Sequence, residues 1–304
     1  MKYFVEQMFF NPRWYHYPLI LILLPFSFLY GIAMVLRRTF LKQIVYDIPI
    51  VSVGNLIVGG SGKTPFVIAL ASRYKNVTVI SRGYGRKSTG LVEVSHKGKI
   101  LVDVKEAGDE AILMAGLLPE ASIIVSENRH EAIMFAQRKG VKIIILDDGF
   151  NRVEIKKFDI ILEPGIINNY YTFPAGPFRE FLSTRGKANL IVKEGFDFTR
   201  EVSIDNETEK MLLVTAISNP TRLEKYLPQN IVYKVYYEDH AYFDEDTLRK
   251  FLETYEASSV LCTSKDKVKM NGFKLPISEM KLKLEIKKEI LIQIDEYIEG
   301  YIDA

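Results

Sequence analysis

A single cysteine, Cys262, stands in 304 residues. That excludes an internal disulfide and, with no ligand cluster around it, a structural zinc site; a reducing compartment fits. Net charge is as scarce. Forty basic side chains against 38 acidic ones leave a formal +2, too weak a field to gather polynucleotide phosphates, so nucleic acid is not an expected partner. Internal repeats and low-complexity tracts are missing too, and nothing marks a protein partner. What is present is 48% hydrophobic and 12% aromatic residues, enough to fill a core, in a chain whose length suits two domains better than one.

Another absence opens the chain. Residues 14–36 (WYHYPLILILLPFSFLYGIAMVL) run for 23 positions without Asp, Glu, Lys or Arg, and a membrane helix needs about 20 apolar residues. Trp14, Tyr15 and Tyr17 sit at one end as an interfacial belt, while Arg37, Arg38 and Lys42 follow the other, a bias that puts the C-terminal side in the cytoplasm. Pro18 and Pro25 leave a spanning and a shallowly inserted helix both open. A buried core helix and a signal peptide are the competing readings; Glu6 and the lack of an A-x-A site count against the signal peptide. The expectation is a membrane-associated N-terminal segment over 1–45.

From residue 48 the pattern changes to short β-rich runs separated by helical stretches. IPIVSV (48–53), NVTVIS (76–81), ASIIVS (121–126), VKIIIL (141–146) and FDIIL (158–162) read as strands, and continuous apolar runs of this length suit parallel strands covered on both faces. Helices are expected from Thr64 onward, over 109–118 and over 128–139, the last ending in Arg138, Lys139 and Gly140. The Gly-, Pro- and Asn-rich stretch 165–187 breaks the rhythm and is the candidate boundary. Beyond it, 188–193, 211–217, 231–237 and 258–263 form a second strand series. Leu248, Phe251, Leu252 and Tyr255 mark an amphipathic helix after Asp244, and KLKLEI (281–286) alternates near the end. The fold class expected is α/β: a phosphate-loop NTPase-like α/β/α sandwich with a mostly parallel sheet over 46–187, a second, smaller α/β domain over 188–304, and the N-terminal membrane helix.

The stretch VGNLIVGGSGKTP (53–65) nearly matches G-x-x-x-x-G-K-[ST], but the leading glycine is missing: position 57 is Ile57. A strand, a glycine-rich turn and a helix start remain, the context in which backbone N–H groups and a helix N-terminus cradle phosphate. Gly59, Gly60, Ser61, Gly62, Lys63 and Thr64 are therefore the expected nucleotide cradle, with Lys63 reaching the β/γ-phosphates and the Thr64 hydroxyl offered to Mg²⁺. Pro65 is tolerated in the first turn. The alternative is a glycine turn with no ligand. Loops of the form K-G-G-x-G-K-[ST] are excluded, because Val58 stands where their lysine would be.

ILDDGF (145–150) ends the fourth strand with Asp147-Asp148-Gly149, where a carboxylate for Mg²⁺ belongs in a phosphate-loop fold; a turn-capping role is the alternative. In AGDEA (107–111), Asp109 has the position of a helix N-cap and Glu110 that of the first turn, which capping and the helix dipole explain. His240, in YYEDHAYF (236–243), reads equally well as structural. Yet phosphoryl transfer to an alcohol needs a group to take the hydroxyl proton, and a carboxylate oriented by an imidazole can do so. The residues alone leave both readings open.

Taken in order, the apolar N-terminal helix, VGNLIVGGSGKTP (53–65), ISRGYGRK (80–87), EAGDE (106–110), ILDDGF (145–150), FPAGPFRE (173–180), EDH (238–240) and TSKD (263–266) resemble the tetraacyldisaccharide 4′-kinase family, the lipid A 4′-kinases, over nearly the whole chain. That family also lacks the first glycine of the loop. The resemblance implies ATP- and Mg²⁺-dependent phosphorylation of a tetraacyldisaccharide 1-phosphate lipid at its 4′-hydroxyl, at the inner leaflet of a bacterial inner membrane, on its cytoplasmic face. It further implies Asp109 as base with His240 as its partner, Lys63 as phosphate clamp, and Thr64 with Asp147 or Glu110 in the metal region. Asp148, Arg129, Arg179 and Glu180 match family motifs and are carried over as substrate-binding positions. Arg82 and Arg86, in a glycine-interrupted loop after the second strand, are candidate contacts for the anionic lipid head. One departure stands out: the family commonly reads DDGFQH, and here Asn151 and Arg152 follow the phenylalanine. Two rival classes are a membrane-tethered phosphate-loop ATPase switch without a lipid acceptor, for which Asp109 and His240 are incidental, and a non-catalytic scaffold on a dead nucleotide fold.

Overall fold

Fully buried, β-branched strands set the framework. The computed structural model describes all residues except 1, 60, 61, 164, 166, 303 and 304, and leaves the side chains of 2, 3 and 302 undescribed. In chain order the first half holds α1 (Lys2–Phe10), α2 (Tyr17–Phe40), β1 (Ile50–Gly54), α3 (Lys63–Ala71), β2 (Val77–Ser81), β3 (Val92–His96), β4 (Lys99–Ile100), α4 (Val104–Ala107), α5 (Asp109–Leu117), β5 (Ser122–Val125), α6 (Arg129–Arg138) and β6 (Ile143–Asp147). The second half holds β7 (Phe158–Glu163), β8 (Leu190–Lys193), β9 (Phe198–Asp205), β10 (Met211–Thr215), β11 (Ile231–Tyr236), α7 (Glu245–Thr254), β12 (Ser259–Thr263), α8 (Ser264–Lys267), β13 (Ile277–Ile286) and α9 (Lys288–Ile302).

The chain divides into two units. The first comprises Met1–Lys63, Ile143–Phe198 and Ile286–Ala304. Its strands run β6-β1-β7-β8, each neighbouring pair parallel. Every residue of β1 and β6 is buried, which is why their sequences read as unbroken apolar runs rather than alternating ones. The loop after β1 enters a cluster of Leu56, Ile57, Phe150, Ile161, Ile167 and Phe178.

In this unit α2 docks by one narrow face. Its buried positions are Ile20, Ser27 and Gly31. The Ser27 hydroxyl accepts the Ala175 N–H at 2.8 Å and its carbonyl accepts the Thr172 hydroxyl at 2.7 Å. A Cβ at Gly31 would lie 2.2 Å from the Phe181 ring, so only glycine lets the ring approach. The remaining faces present Leu21, Ile22, Phe26, Phe28 and Leu29 outward. Over Trp14–Phe40 the apolar window is only 17% buried; a core helix of a soluble domain would be mostly covered.

The second unit comprises Thr64–Lys142 and Thr199–Glu285. Here β2 and β5 pair parallel, while β3 joins β5, and β4 joins β3, antiparallel. A five-stranded sheet follows in the order β11-β10-β12-β13-β9, with β10-β11, β10-β12 and β12-β13 parallel. One face of that sheet is filled by Leu212, Val214, Val260 and Cys262 against Leu248 and Leu252 of α7. The α7 start is capped by Asp244, whose carboxylate accepts the Thr247 N–H at 2.9 Å.

Strands expected from the sequence all form, their ends displaced by up to two residues except for β13, which starts earlier, at Ile277. Unforeseen are β3, β4 and β9. Their exposed or alternating positions deprive them of the apolar run that marks the buried strands.

Candidate active site

Each unit carries its own cluster of charged groups. In the first, Gly59 and Gly62 take left-handed backbone angles, φ 92° and 71°, immediately before the α3 start at Lys63. These conformations suit glycine and turn backbone toward a helix N-terminus, the geometry of an anion cradle. Gly60 and Ser61 lie outside the described residues. Ile57, where the usual first glycine is missing, is 3% exposed and packs against Phe150 and Phe178. The loop thus enters on an apolar anchor instead of a tight turn.

The same entry delivers a second cation. Arg179 N–H bonds to the Leu56 carbonyl at 2.7 Å and Val58 N–H to the Pro177 carbonyl at 2.8 Å. Arg179 thereby reaches Asp148, donating to both carboxylate oxygens at 3.1 and 2.9 Å. The Lys63 ammonium lies 3.3 Å from Asp148 Oδ1 and 3.3 Å from Asn55 Oδ1. Burial alone raises the Asp148 pKa, but the Lys63 and Arg179 charges outweigh it and hold the carboxyl below its ordinary value. Asp147, the last residue of β6, is buried. Glu180 faces the other way: it is buried and accepts two bonds from Arg38 at the end of α2, whose guanidinium also lies 4.3 Å over the Phe150 ring.

In the second unit His240 Nδ1 lies 3.0 and 3.1 Å from the two oxygens of Asp109. The imidazole therefore donates from Nδ1, since an ionised carboxylate only accepts. Gly108, not Asp109, is the N-cap of α5; Asp109 occupies the first helical position and accepts the Glu110 N–H at 2.8 Å. His240 has φ 62° and donates its N–H to the Ala216 carbonyl at 3.2 Å. Gly85 (φ 74°) backs the ring: a Cβ there would come within 3.1 Å of the imidazole.

Charge around Asp109 is dense. Burial is the largest influence and raises its pKa; the His240 hydrogen bond and the charges of Lys265, His240 and Lys269 reverse that and leave it below the ordinary value. The hydrogen bond to Asp109 raises His240. Lys265 is pushed down by burial but ends above its ordinary value because Glu110, Asp109 and Asp239 surround it, at 3.0, 3.9 and 3.6 Å. Glu110 is thus held by Lys265 here. Lys265 falls in the TSKD stretch (263–266) that the family resemblance includes, where no role is attached to it; the Thr263 side chain, accepting the Asp266 N–H at 3.2 Å, caps the short helix that carries it.

The remaining expected positions differ in availability. Arg82 is exposed and lies 5.3 Å over the Tyr84 ring. Arg86 is already partnered, donating to the Gly90 carbonyl of its own loop at 2.7 Å and to Glu127, between β5 and α6, at 2.5 Å. Arg129 is buried and ties β2 to β5 by donating to the Ser81 and Ser126 carbonyls. Thr64 is half-buried. The donor set suits Mg²⁺ carried with phosphate: among the described residues no three His, Cys, Asp or Glu gather into a metal cage, and Mg²⁺ takes only one or two carboxylates, completing its shell with water and phosphate oxygens. Asp147 and the Thr64 hydroxyl are hard oxygen donors of that kind.

Comparison with known proteins gives a consistent result. A family model described as tetraacyldisaccharide-1-P 4′-kinase matches residues 19–299. A Helicobacter pylori (strain J99) protein named tetraacyldisaccharide 4′-kinase is 47% identical over 302 residues, covering 99% of this chain and 96% of its own. One of the same name from Aliarcobacter butzleri is 42% identical over 306 residues, covering 98% and 97%. Among solved structures, "apo" form LpxK from Aquifex aeolicus in complex with ATP aligns with a TM-score of 0.77 at 30% identity, over 92% of this chain and 99% of that one.

Proposed function

The chain belongs to the tetraacyldisaccharide-1-P 4′-kinase family, and on that premise we propose how its residues carry out the reaction. It is a lipid kinase that phosphorylates the 4′-hydroxyl of a tetraacylated glucosamine disaccharide 1-phosphate at the expense of ATP, in lipid A biosynthesis. The substrate oxygen attacks the γ-phosphorus, the bond to the ADP oxygen breaks, and the hydroxyl proton must be taken up. Mg²⁺, bound with ATP, neutralises charge on the phosphates.

Our assignment gives the proton to Asp109. The observation that carries it is a buried carboxylate kept ionised and turned by an imidazole at 3.0 and 3.1 Å. His240, donating from Nδ1, holds the Asp109 carboxylate ionised and oriented until the hydroxyl proton arrives, and its own side chain is 24% exposed. Lys63 clamps the phosphates, exchanging its long contacts with Asn55 and Asp148 for phosphate oxygens. Arg179 shares Asp148 and keeps Lys63 free to do so. Gly59, Gly60, Ser61, Gly62 and Thr64 complete the cradle, and Thr64 with Asp147 or Glu110 would hold the metal; Glu110 is paired with Lys265. For the acceptor's anionic head we assign Arg82, which is open to solvent. Arg86, Arg129 and Glu180 serve the fold in the state described.

The same proposal places the protein at the cytoplasmic face of the inner membrane through α2. Its outward Leu, Ile and Phe side chains and the arginines at its C-terminal end support this, as does the nature of the acceptor, whose acyl chains remain in the bilayer. In terms of chain order, the reading keeps 1–45 as anchor, 46–187 as kinase core and 188–304 as the smaller domain.

Purified protein, labelled ATP and the tetraacylated disaccharide 1-phosphate in detergent test the activity. Label is expected on the lipid and lost in Lys63→Ala; acceptor-independent ATP hydrolysis without labelled lipid overturns the proposal. Co-sedimentation of the full chain with phospholipid vesicles tests the anchor, and a chain left in the supernatant would refute it.

A further inference from the structure

Behind the Asp109 carboxylate lies an ion pair to which the reaction as described gives no task. Asp266 is fully buried and accepts bonds from the Thr215 hydroxyl (2.7 Å), the Ala216 N–H (3.1 Å) and the Thr263 hydroxyl (2.8 Å). Lys269 brings its ammonium to 3.0 Å from Asp266 Oδ1 and 3.7 Å from Asp109 Oδ2. Its side chain is 1% exposed, and the ammonium lies 4.8 Å over the Phe243 ring.

Asp266 thus reaches both members of the pair. Through Lys269 it touches Asp109; through Ala216, whose N–H it accepts and whose carbonyl takes the His240 N–H, it fixes the backbone that carries the imidazole. Stability does not explain such an arrangement, since two ions desolvated together rarely outdo apolar side chains of the same size. Lys265 also approaches Asp109 Oδ2, at 3.9 Å, but it is shared with Glu110 and Asp239 and is more open to solvent. Lys269 is the core-side contact.

We infer that Lys269, set in place by Asp266, is a positioning residue that holds the Asp109 carboxylate in the orientation His240 shares, so that the working unit is Lys269–Asp109–His240. The inference rests on the reading of Asp109 as proton acceptor. Lys269 supplies a fixed charge against the oxygen farther from the Glu110 N–H, and without it the carboxylate is free to rotate away from the imidazole.

Lys269→Met, which keeps the length of the side chain without its charge, provides the test. The expected result is a fall in kcat on the order of 10- to 100-fold, the cost of a slightly misplaced reacting group. KM values for ATP and lipid should stay within about threefold and thermal unfolding should remain cooperative. In an Asp109→Asn background the same substitution is expected to cost less than about threefold more, because the residue acts through Asp109. A merely structural lysine would lower turnover by the same factor in both backgrounds, and that outcome, or a Lys269→Met variant within threefold of the parent, overturns the inference. If Lys269→Met does not fold, Lys269→Gln carries the identical comparison. Near-normal turnover of Asp109→Asn by itself removes the premise, a failure distinct from that of Lys269.

Discussion

Asp148 and Asp109 are both shielded carboxylates lowered by neighbouring cations, and they are held in opposite ways. The partners of Asp148, Lys63 and Arg179, retain 13% and 22% exposure of their side chains and meet it at the end of a glycine turn. Those of Asp109 include Lys269, at 1% exposure, and an imidazole seated on a glycine. The first arrangement can trade its cations to an incoming phosphate; the second is built to stay. Exchangeable pairing suits binding, and fixed pairing suits proton transfer.

Substitutions sharpen or break that contrast. The largest effect is expected from Asp109→Asn: turnover falls by about 10²- to 10⁴-fold, the usual contribution of a general base, while ATP affinity measured by titration is retained. Should ATP affinity fall with turnover, the two regions do not divide the work. His240→Asn comes next, with a loss on the order of 10²-fold in kcat for a misoriented base and KM little changed, read by steady-state kinetics. Arg179→Ala reports on the other region. It leaves Lys63 alone with Asp148 and should raise the KM for ATP about tenfold, the equivalent of one charge-assisted hydrogen bond, with a smaller change in kcat.

The Asp109–His240 pair also predicts a pH signature. His240 is raised above its ordinary 6.5, so its contribution to stability is complete below that pH and is lost as pH rises through the elevated value. Asp109 is lowered beneath 3.8; its contribution is complete above that pH and is lost as pH falls through the depressed value. The melting-temperature deficit of His240→Asn should therefore be greatest between about pH 4 and 6.5 and shrink at higher pH, with Asp109, Asp239 and Lys265 as the charges facing the ring. A deficit independent of pH would mean the pair is not ionised. Smallest is Asn128→Ala. Asn128 caps α6 by accepting the Glu131 N–H at 3.3 Å, and its loss should cost about 1 kcal/mol in denaturant unfolding with turnover unchanged.

The contrast also explains what the sequence disclosed. Phosphate cradles are written in consecutive residues, so Gly59 to Thr64 could be read from spacing, and the buried strands β1 and β6 announced themselves by unbroken apolar runs. His240 pairs with Asp109 across 131 positions, a distance over which no local pattern operates; only the resemblance joined them. Lys265 and Asp266 fall in the TSKD stretch, but the roles of Lys265, Asp266 and Lys269 are hidden for another reason. A run of alternating charge looks like surface until the Thr263 cap and the Asp266 bonds turn it inward. Arg86 and Arg129 are a further case: the loop position of the one and the family motif of the other suggest a ligand, and here Arg86 donates to the Gly90 carbonyl and Arg129 to the Ser81 carbonyl.

One backbone feature governs how these positions can be probed. Asp148 and His240 both sit at positive φ, 56° and 62°, a conformation that costs most L-residues about 1 kcal/mol or more and that asparagine and aspartate tolerate best. An alanine scan at either position therefore records a conformational penalty on top of the lost functional group, and a β-branched replacement would inflate it further. Asparagine is the cleaner surrogate at both places, and any catalogue of tolerated substitutions there will be skewed toward small amides and glycine for reasons unrelated to phosphate chemistry.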